Sequence, residues 1–185
     1  MPVCFEFLVP VRDFNPSSLK ALIGRILKEE SCPGCDLTVI FTGSAHLRRL
    51  NRRYRGQDRV TDVISFAMLE GPKACWTRPN LGDVYISLPR ARRQAREYCA
   101  TAEEEIRRLT VHGVLHLLGF DHIQPGPARK MRRREEFYLY GNHSATKAPR
   151  HKKDLAISNY PANILSAVGG LSILMCSLSA QWRTG

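Results

Sequence analysis

The chain opens on a short run rich in β-formers, residues 3–9, that reads as a strand. Asn15 and Pro16 then supply an N-cap and a first helical position. Leu19, Leu22, Ile23, Ile26 and Leu27 recur at the spacing of one helix face, with Lys20, Arg25 and Lys28 on the other side. A turn over CPGCD leads into a second strand, residues 37–42, and Ser44 is placed to cap a helix that buries Leu47, Leu50 and Tyr54. The rest of that helix is almost solid arginine. Residues 61–68 alternate as a strand, residues 70–80 form a Gly/Pro-containing loop, and residues 82–88 make another short strand.

Beyond this point the pattern becomes helical. Pro89 opens a helix that runs to Cys99, and Thr101 with Glu104 forms a capping box for the next, which reaches Leu118. From Val111 onward this second helix is apolar nearly all round. A helix without a polar face is buried, so its two histidines, His112 and His116, must sit inside the protein with partners.

Those histidines are four residues apart, which puts both imidazoles on one side of the helix, one turn apart. Gly119 can adopt the left-handed conformation that ends a helix and turn the chain back, so that His122 approaches the first two. The string HGVLHLLGFDH thus has the ligand spacing of HExxHxxGxxH metallopeptidases, with Gly113 where their catalytic glutamate stands. Three neutral imidazoles leave a bound ion its full charge and an open position, which suits activation of water more than structural bracing. Zinc matches these ligands without redox chemistry, although nickel, copper or iron would accept the same set. Asp121 is placed either to orient a ligand imidazole or handle protons, or to cap the next helix.

Charge narrows the substrate. Lysine and arginine number 28 against 17 acidic residues, a net charge of +11 with a pI near 9.8, and such a surface attracts polyanions. Nucleic acid and anionic membrane fit that field; a small neutral metabolite does not call for it. The 185 residues, 43% apolar, suit one domain plus an appendage. Six cysteines at irregular spacing and a start, MPVCFEFLVPVRDF, without the features of a signal peptide point to a reduced, cytoplasmic chain. Cys32 and Cys35 could be half a zinc site or a redox motif, but no second cysteine pair or nearby cysteine-histidine pair completes it, and they read as an ordinary turn.

At HGVLHLLGFDH the sequence resembles the YbeY family of bacterial metal-dependent endoribonucleases, and the likeness extends to LNRRYRGQDRVTDVISF (residues 50–66) and LGDVYIS (residues 81–87). It covers about residues 1–140. The resemblance implies an α+β fold with a small mixed four-stranded sheet packed with helices and the metal-binding helix in the core. It implies zinc held by His112, His116 and His122, a nuclease role for Arg55, and work on single-stranded RNA in rRNA maturation and ribosome quality control. Its implied partners are rRNA precursors and the ribosome, with room for a ribosomal or GTPase protein. Arg55 is chemically suited to bind a phosphate in bidentate fashion and offset charge in the transition state, while also being one of six arginines in a solvated cluster. Two departures from the family pattern, Val60 and Ala67 in place of prolines, leave the loop shape near Arg55 open.

Arginines gather in three segments, around Arg48 to Arg59, Arg90 to Arg96 and Arg129 to Arg134, and supply phosphate contacts that position RNA without reading bases. Thr61 and Asp62 are read as cleft-shaping or turn-forming, outside the catalytic set. The expected domain spans residues 1–145. Residues 146–185 form an extension, basic and then uncharged, read as a flexible or loosely packed tail in preference to a membrane-bound helix. Besides the endoribonuclease, two classes remain: a metal-dependent hydrolase such as a peptidase, against which Gly113 argues, and a non-catalytic ribosome-associated RNA-binding module braced by its metal.

Overall fold

Strand β1 (Val3–Phe7) is followed by α1 (Pro16–Glu29), β2 (Asp36–Thr42), α2 (Ser44–Arg55), β3 (Val63–Ala67), β4 (Asn80–Ser87), α3 (Leu88–Glu97), α4 (Ala102–Leu117) and α5 (Pro125–Tyr140). The structure is a computed structural model, and it describes residues 3–68 and 80–141. The four strands form one sheet in the order β1-β2-β4-β3. The first three run parallel, and β3 pairs antiparallel with β4, with Val63 opposite Ile86 and Ser65 opposite Val84. This is the small mixed sheet of an α+β domain.

Alternation along the strands divides the helices between the two faces. Leu37, Val39, Phe41, Val63, Val84 and Ile86 point into the main core, where they meet Ile23 and Ile26 of α1 and Ile106, Leu109 and Val114 of α4. Ser65, on that same face, donates its hydroxyl to the Gly113 carbonyl at 3.1 Å. Phe66 points the other way and meets Tyr54 of α2, ring centroids 5.1 Å apart. The close seat of α4 on the sheet explains Gly113: a Cβ there would collide with the Val84 side chain and stand 3.1 Å from Ser65 Oγ.

Caps and boundaries follow local chemistry. Asn15 accepts from Ser17 N at 2.9 Å, and Thr101 and Glu104 form the reciprocal capping box. Ser44, expected as a cap, is the first residue of α2 behind the Gly43 cap, because its hydroxyl is engaged with Ser87 Oγ at 2.9 Å. Ser87 rather than Pro89 marks the entry to α3, and that helix ends at Glu97, short of Cys99. The buried stripe of α2 is Leu47 and Asn51; Leu50 and Tyr54 are half-buried. Strand β3 begins at Val63 because Thr61 and Asp62 spend their side chains on a buried turn.

Cys32 and Cys35, expected as free thiols in a turn, are joined as a disulfide between α1 and β2, with Cα atoms 5.5 Å apart, a separation that bridging requires. Among the described residues no helix is long and apolar enough to cross a membrane. The expectations for the loop over residues 70–79 and for the tail over residues 146–185 lie outside the described residues.

Candidate metal centre

Helix α4 is buried from Glu105 to Ile106 and again from Leu109 to Leu118, so His112 and His116 project from a wholly enclosed stretch. After α4, Gly119 turns the chain with φ 88°, a backbone angle that disfavours a side chain. The return brings His122 back: its ring centroid lies 5.5 Å from that of His112 and 4.9 Å from that of His116. The three imidazoles each offer a ring nitrogen, and these nitrogens all lie within 4.8 Å of one another. The sequence spacing therefore converges in space as expected.

The ring orientations are set from outside. His112 Nδ1 lies 2.7 Å from Glu135 Oε1 on α5. An ionised carboxylate only accepts, so Nδ1 carries the hydrogen and Nε2 presents its lone pair to the cluster. That Nε2 lies 3.2 Å from His116 Nε2. Burial, and then the neighbouring His112 and His122, push the pKa of His116 down to about 2, while a hydrogen bond to the Phe120 backbone pulls weakly the other way. Two imidazoles facing each other through ring nitrogens, with a third alongside, are a donor set that fits a divalent cation.

Glu135 is a residue the sequence reading missed. Its signal was there in the stripe Met131, Glu135 and Tyr138, spaced four and three residues apart on the inward side of α5. Asp121 takes neither of its expected roles toward a ring or a helix cap. Its Oδ1 accepts the backbone N–H groups of His122 at 2.7 Å and Ile123 at 3.3 Å, which holds the ligand loop in shape, and α5 is instead entered from Gln124.

Arg55 is the last residue of α2, and Gly56 closes the helix in the left-handed conformation with φ 65°. Its charge bears on His116, lowering that imidazole's pKa further. Burial, and then the charge of Arg59, lower the pKa of Arg55 itself, and its Nη1 is buried with no hydrogen-bond partner among the described residues. The loop that follows is pinned by Asn51, whose Nδ2 donates to the Arg59 carbonyl at 2.9 Å, and by the bidentate pair of Arg48 with Asp58. Asn51 was likewise not singled out by sequence, hidden in an arginine run at four residues from Leu47. Asp62 is a brace: its carboxylate accepts from Val63 N at 3.0 Å, the Thr61 hydroxyl at 3.2 Å and Gln94 Nε2 at 2.9 Å.

An α+β domain that gathers three imidazoles from one buried helix and its return loop, with a half-buried arginine beside them, belongs to the class of proteins built around a candidate histidine metal centre. A family profile described as "Endoribonuclease YbeY" matches residues 11–142, and the chain belongs to that family. A protein named Endoribonuclease YbeY from Desulforamulus reducens is 45% identical over 110 residues, covering 58% of this chain and 72% of its own length. Its namesake from Pelotomaculum thermopropionicum is 47% identical over 106 residues, 56% of this chain and 70% of that protein. The solution structure of TM1509 from Thermotoga maritima superposes with a TM-score of 0.55 at 24% identity, covering 80% of this chain and 99% of that one, which speaks for the fold.

Proposed function

We propose that the chain is a single-strand-specific, metal-dependent endoribonuclease acting on rRNA precursors in small-subunit maturation and ribosome quality control, with His112, His116 and His122 holding the metal and Arg55 serving the reaction. The observation that carries this reading is the position of Arg55: a half-buried guanidinium with an unpartnered Nη1, close enough to His116 to perturb it. A buried donor left unsatisfied costs free energy, and a phosphate oxygen would relieve that cost.

A zinc ion, when bound, supplies Lewis acidity and lowers the pKa of a coordinated water. The chain does the remaining work. Glu135 fixes the His112 tautomer, the low basicity of His116 keeps its ring available as a ligand, and Asp121 holds the loop that carries His122. Arg55 grips a phosphate oxygen and offsets the charge that grows as the phosphodiester is attacked. The net charge of +11 keeps RNA near the surface at modest salt. Residues 1–145 form the catalytic domain and residues 146–185 an extension. The work so assigned belongs to the cytoplasm, where a ribosomal or GTPase protein would confer site selection.

A peptidase reading loses its footing at Gly113, where a glutamate would have to pass through Val84. The test is cleavage of single-stranded rRNA fragments by the full chain, by His116→Ala and by Arg55→Ala, with and without chelator and with metal content measured alongside. Cutting should vanish in His116→Ala and with chelator, and should fall by about 10²–10³ in Arg55→Ala at unchanged metal content, the usual size of loss when a transition-state donor is removed. Metal-loaded wild type that does not cut would overturn the proposal in favour of a binding module.

A further inference from the structure

Helix α5 carries Arg129, Lys130, Arg132, Arg133 and Arg134 within six consecutive positions. Its first turn holds no acidic residue. Like charges four apart, as in Arg129 with Arg133 and Lys130 with Arg134, repel on a helix surface, and cations in the N-terminal half oppose the helix dipole. The arrangement therefore costs helix stability, and little in the fold offsets it. Arg134 pairs with Glu30 at 3.2 Å, whereas Arg129, Lys130 and Arg133 make no ion pair among the described residues.

These side chains are also shaped into something. Gly126, Arg129, Lys130, Arg133, Arg134 and Phe137 line a groove of about 450 Å³, and their spacing places them on one stripe of α5. That stripe borders Met131 and Tyr138, which are buried. Arg25 of α1 stacks over Phe137 at 4.9 Å, adding a cation at the groove's far end. At the near end Lys130 Nζ sits 5.7 Å from the centre of the Phe120 ring, and Phe120 is the residue whose backbone bonds His116, two positions before His122. The groove thus meets, at Phe120, the return loop that carries His122.

We infer that this groove is a second binding site, a track for the phosphodiester backbone of the single-stranded RNA on either side of the bond being cut. The inference rests on the endoribonuclease reading and extends it from the reacting phosphate to its neighbours. Arg129, Lys130 and Arg133 contact successive phosphates, and the site is indifferent to base identity because no base edge is addressed. It raises affinity for long substrates without entering the chemical step.

The test uses the full chain with Arg129→Gln and Arg133→Gln combined, alongside Arg12→Gln combined with Lys20→Gln, which removes the same net charge outside the groove. Binding of a 30-nucleotide single-stranded RNA is followed as a function of salt in a His116→Ala background, and cleavage by the metal-loaded enzymes on long and very short RNAs. Loss of two single-strand phosphate contacts should reduce the slope of log K against log salt by about 1.4 and weaken binding roughly tenfold at low salt. In cleavage, KM should rise for the long RNA, with kcat, metal content and turnover of the short RNA unchanged. Equal affinity and salt slope in the groove variant, while wild type binds and cuts RNA, would overturn the groove and leave the endoribonuclease reading intact. An equal loss in the Arg12/Lys20 control would reduce the effect to net charge and also overturn it. Binding to phosphatidylserine vesicles lost in the groove variant, with RNA binding unchanged, would reassign the groove to a membrane surface. No binding or cutting of RNA by wild type would remove the underlying reading itself.

Discussion

His112 Nδ1 and Glu135 Oε1 stand 2.7 Å apart, joining the innermost helix to the last described one through a candidate metal ligand. The carboxylate side chain is 21% exposed while the imidazole is 3% exposed, so the acceptor faces water on one side and fixes a buried ring on the other. The pair makes α5 part of the centre even though α5 offers no ligand of its own.

From this follows a graded prediction. Glu135→Ala should weaken metal affinity by about 10–100-fold, the usual cost of losing a partner behind a ligating histidine, and Glu135→Gln should fall between the two because its amide oxygen still accepts from Nδ1–H. Competition with a chelating dye measures this without reference to RNA. If the Glu135→Ala protein matches wild type in metal affinity, the carboxylate has no hold on the ring that matters.

Gly113 sits in the middle of α4, where alanine would ordinarily favour the helix by about 1 kcal/mol. Here the sheet decides otherwise, because the added methyl would run into Val84. Gly113→Ala should therefore destabilise the fold by about 1–3 kcal/mol, the range for overpacking a close interface. The double variant Gly113→Ala/Val84→Ala should show a favourable coupling in a double-mutant cycle by urea denaturation. Strictly additive losses would mean that the two positions do not compete for the same space.

The sequence was most readable where one constraint acted alone. The apolar stretch of α4, the glycine after it and the spacing of three histidines each have one physical solution, and they converge. What could not be read were contacts between segments distant in the chain. Glu135 lies 23 residues beyond His112, and nothing in a helical stripe says which buried polar residue meets which ring. Asn51 was masked by the arginines around it, and Ser44 gave up its expected capping role to a hydroxyl 43 residues away. Asp121 offered two chemistries, and backbone amides took the side chain first.

Asn51 carries the loop behind Arg55. Its Nδ2 donates to the Arg59 carbonyl at 2.9 Å and ties that loop back to α2. Asn51→Ala should cost about 0.5–1.5 kcal/mol for the lost hydrogen bond. It should also lower kcat/KM on RNA while leaving metal affinity at the wild-type value. Metal affinity falling in step with activity would show that the loop supports the histidines rather than the arginine.

Metal removal separates a catalytic centre from a structural one. The core of α1, α4 and the sheet closes around the apolar side chains of Ile23, Ile26, Ile106 and Val114. Chelation should then leave a folded protein that has lost only the linkage contribution of the metal. At a free metal concentration one hundred times the Kd that contribution is about 2.7 kcal/mol, or roughly 5–10 °C in melting temperature for a chain of this size. His116→Ala should melt at the same temperature with and without metal. Near-UV circular dichroism of the chelated wild type gives the decision: a native spectrum with a lowered midpoint assigns the metal to chemistry, whereas loss of the spectrum makes it a brace for the fold and favours a ribosome-bound module over an enzyme.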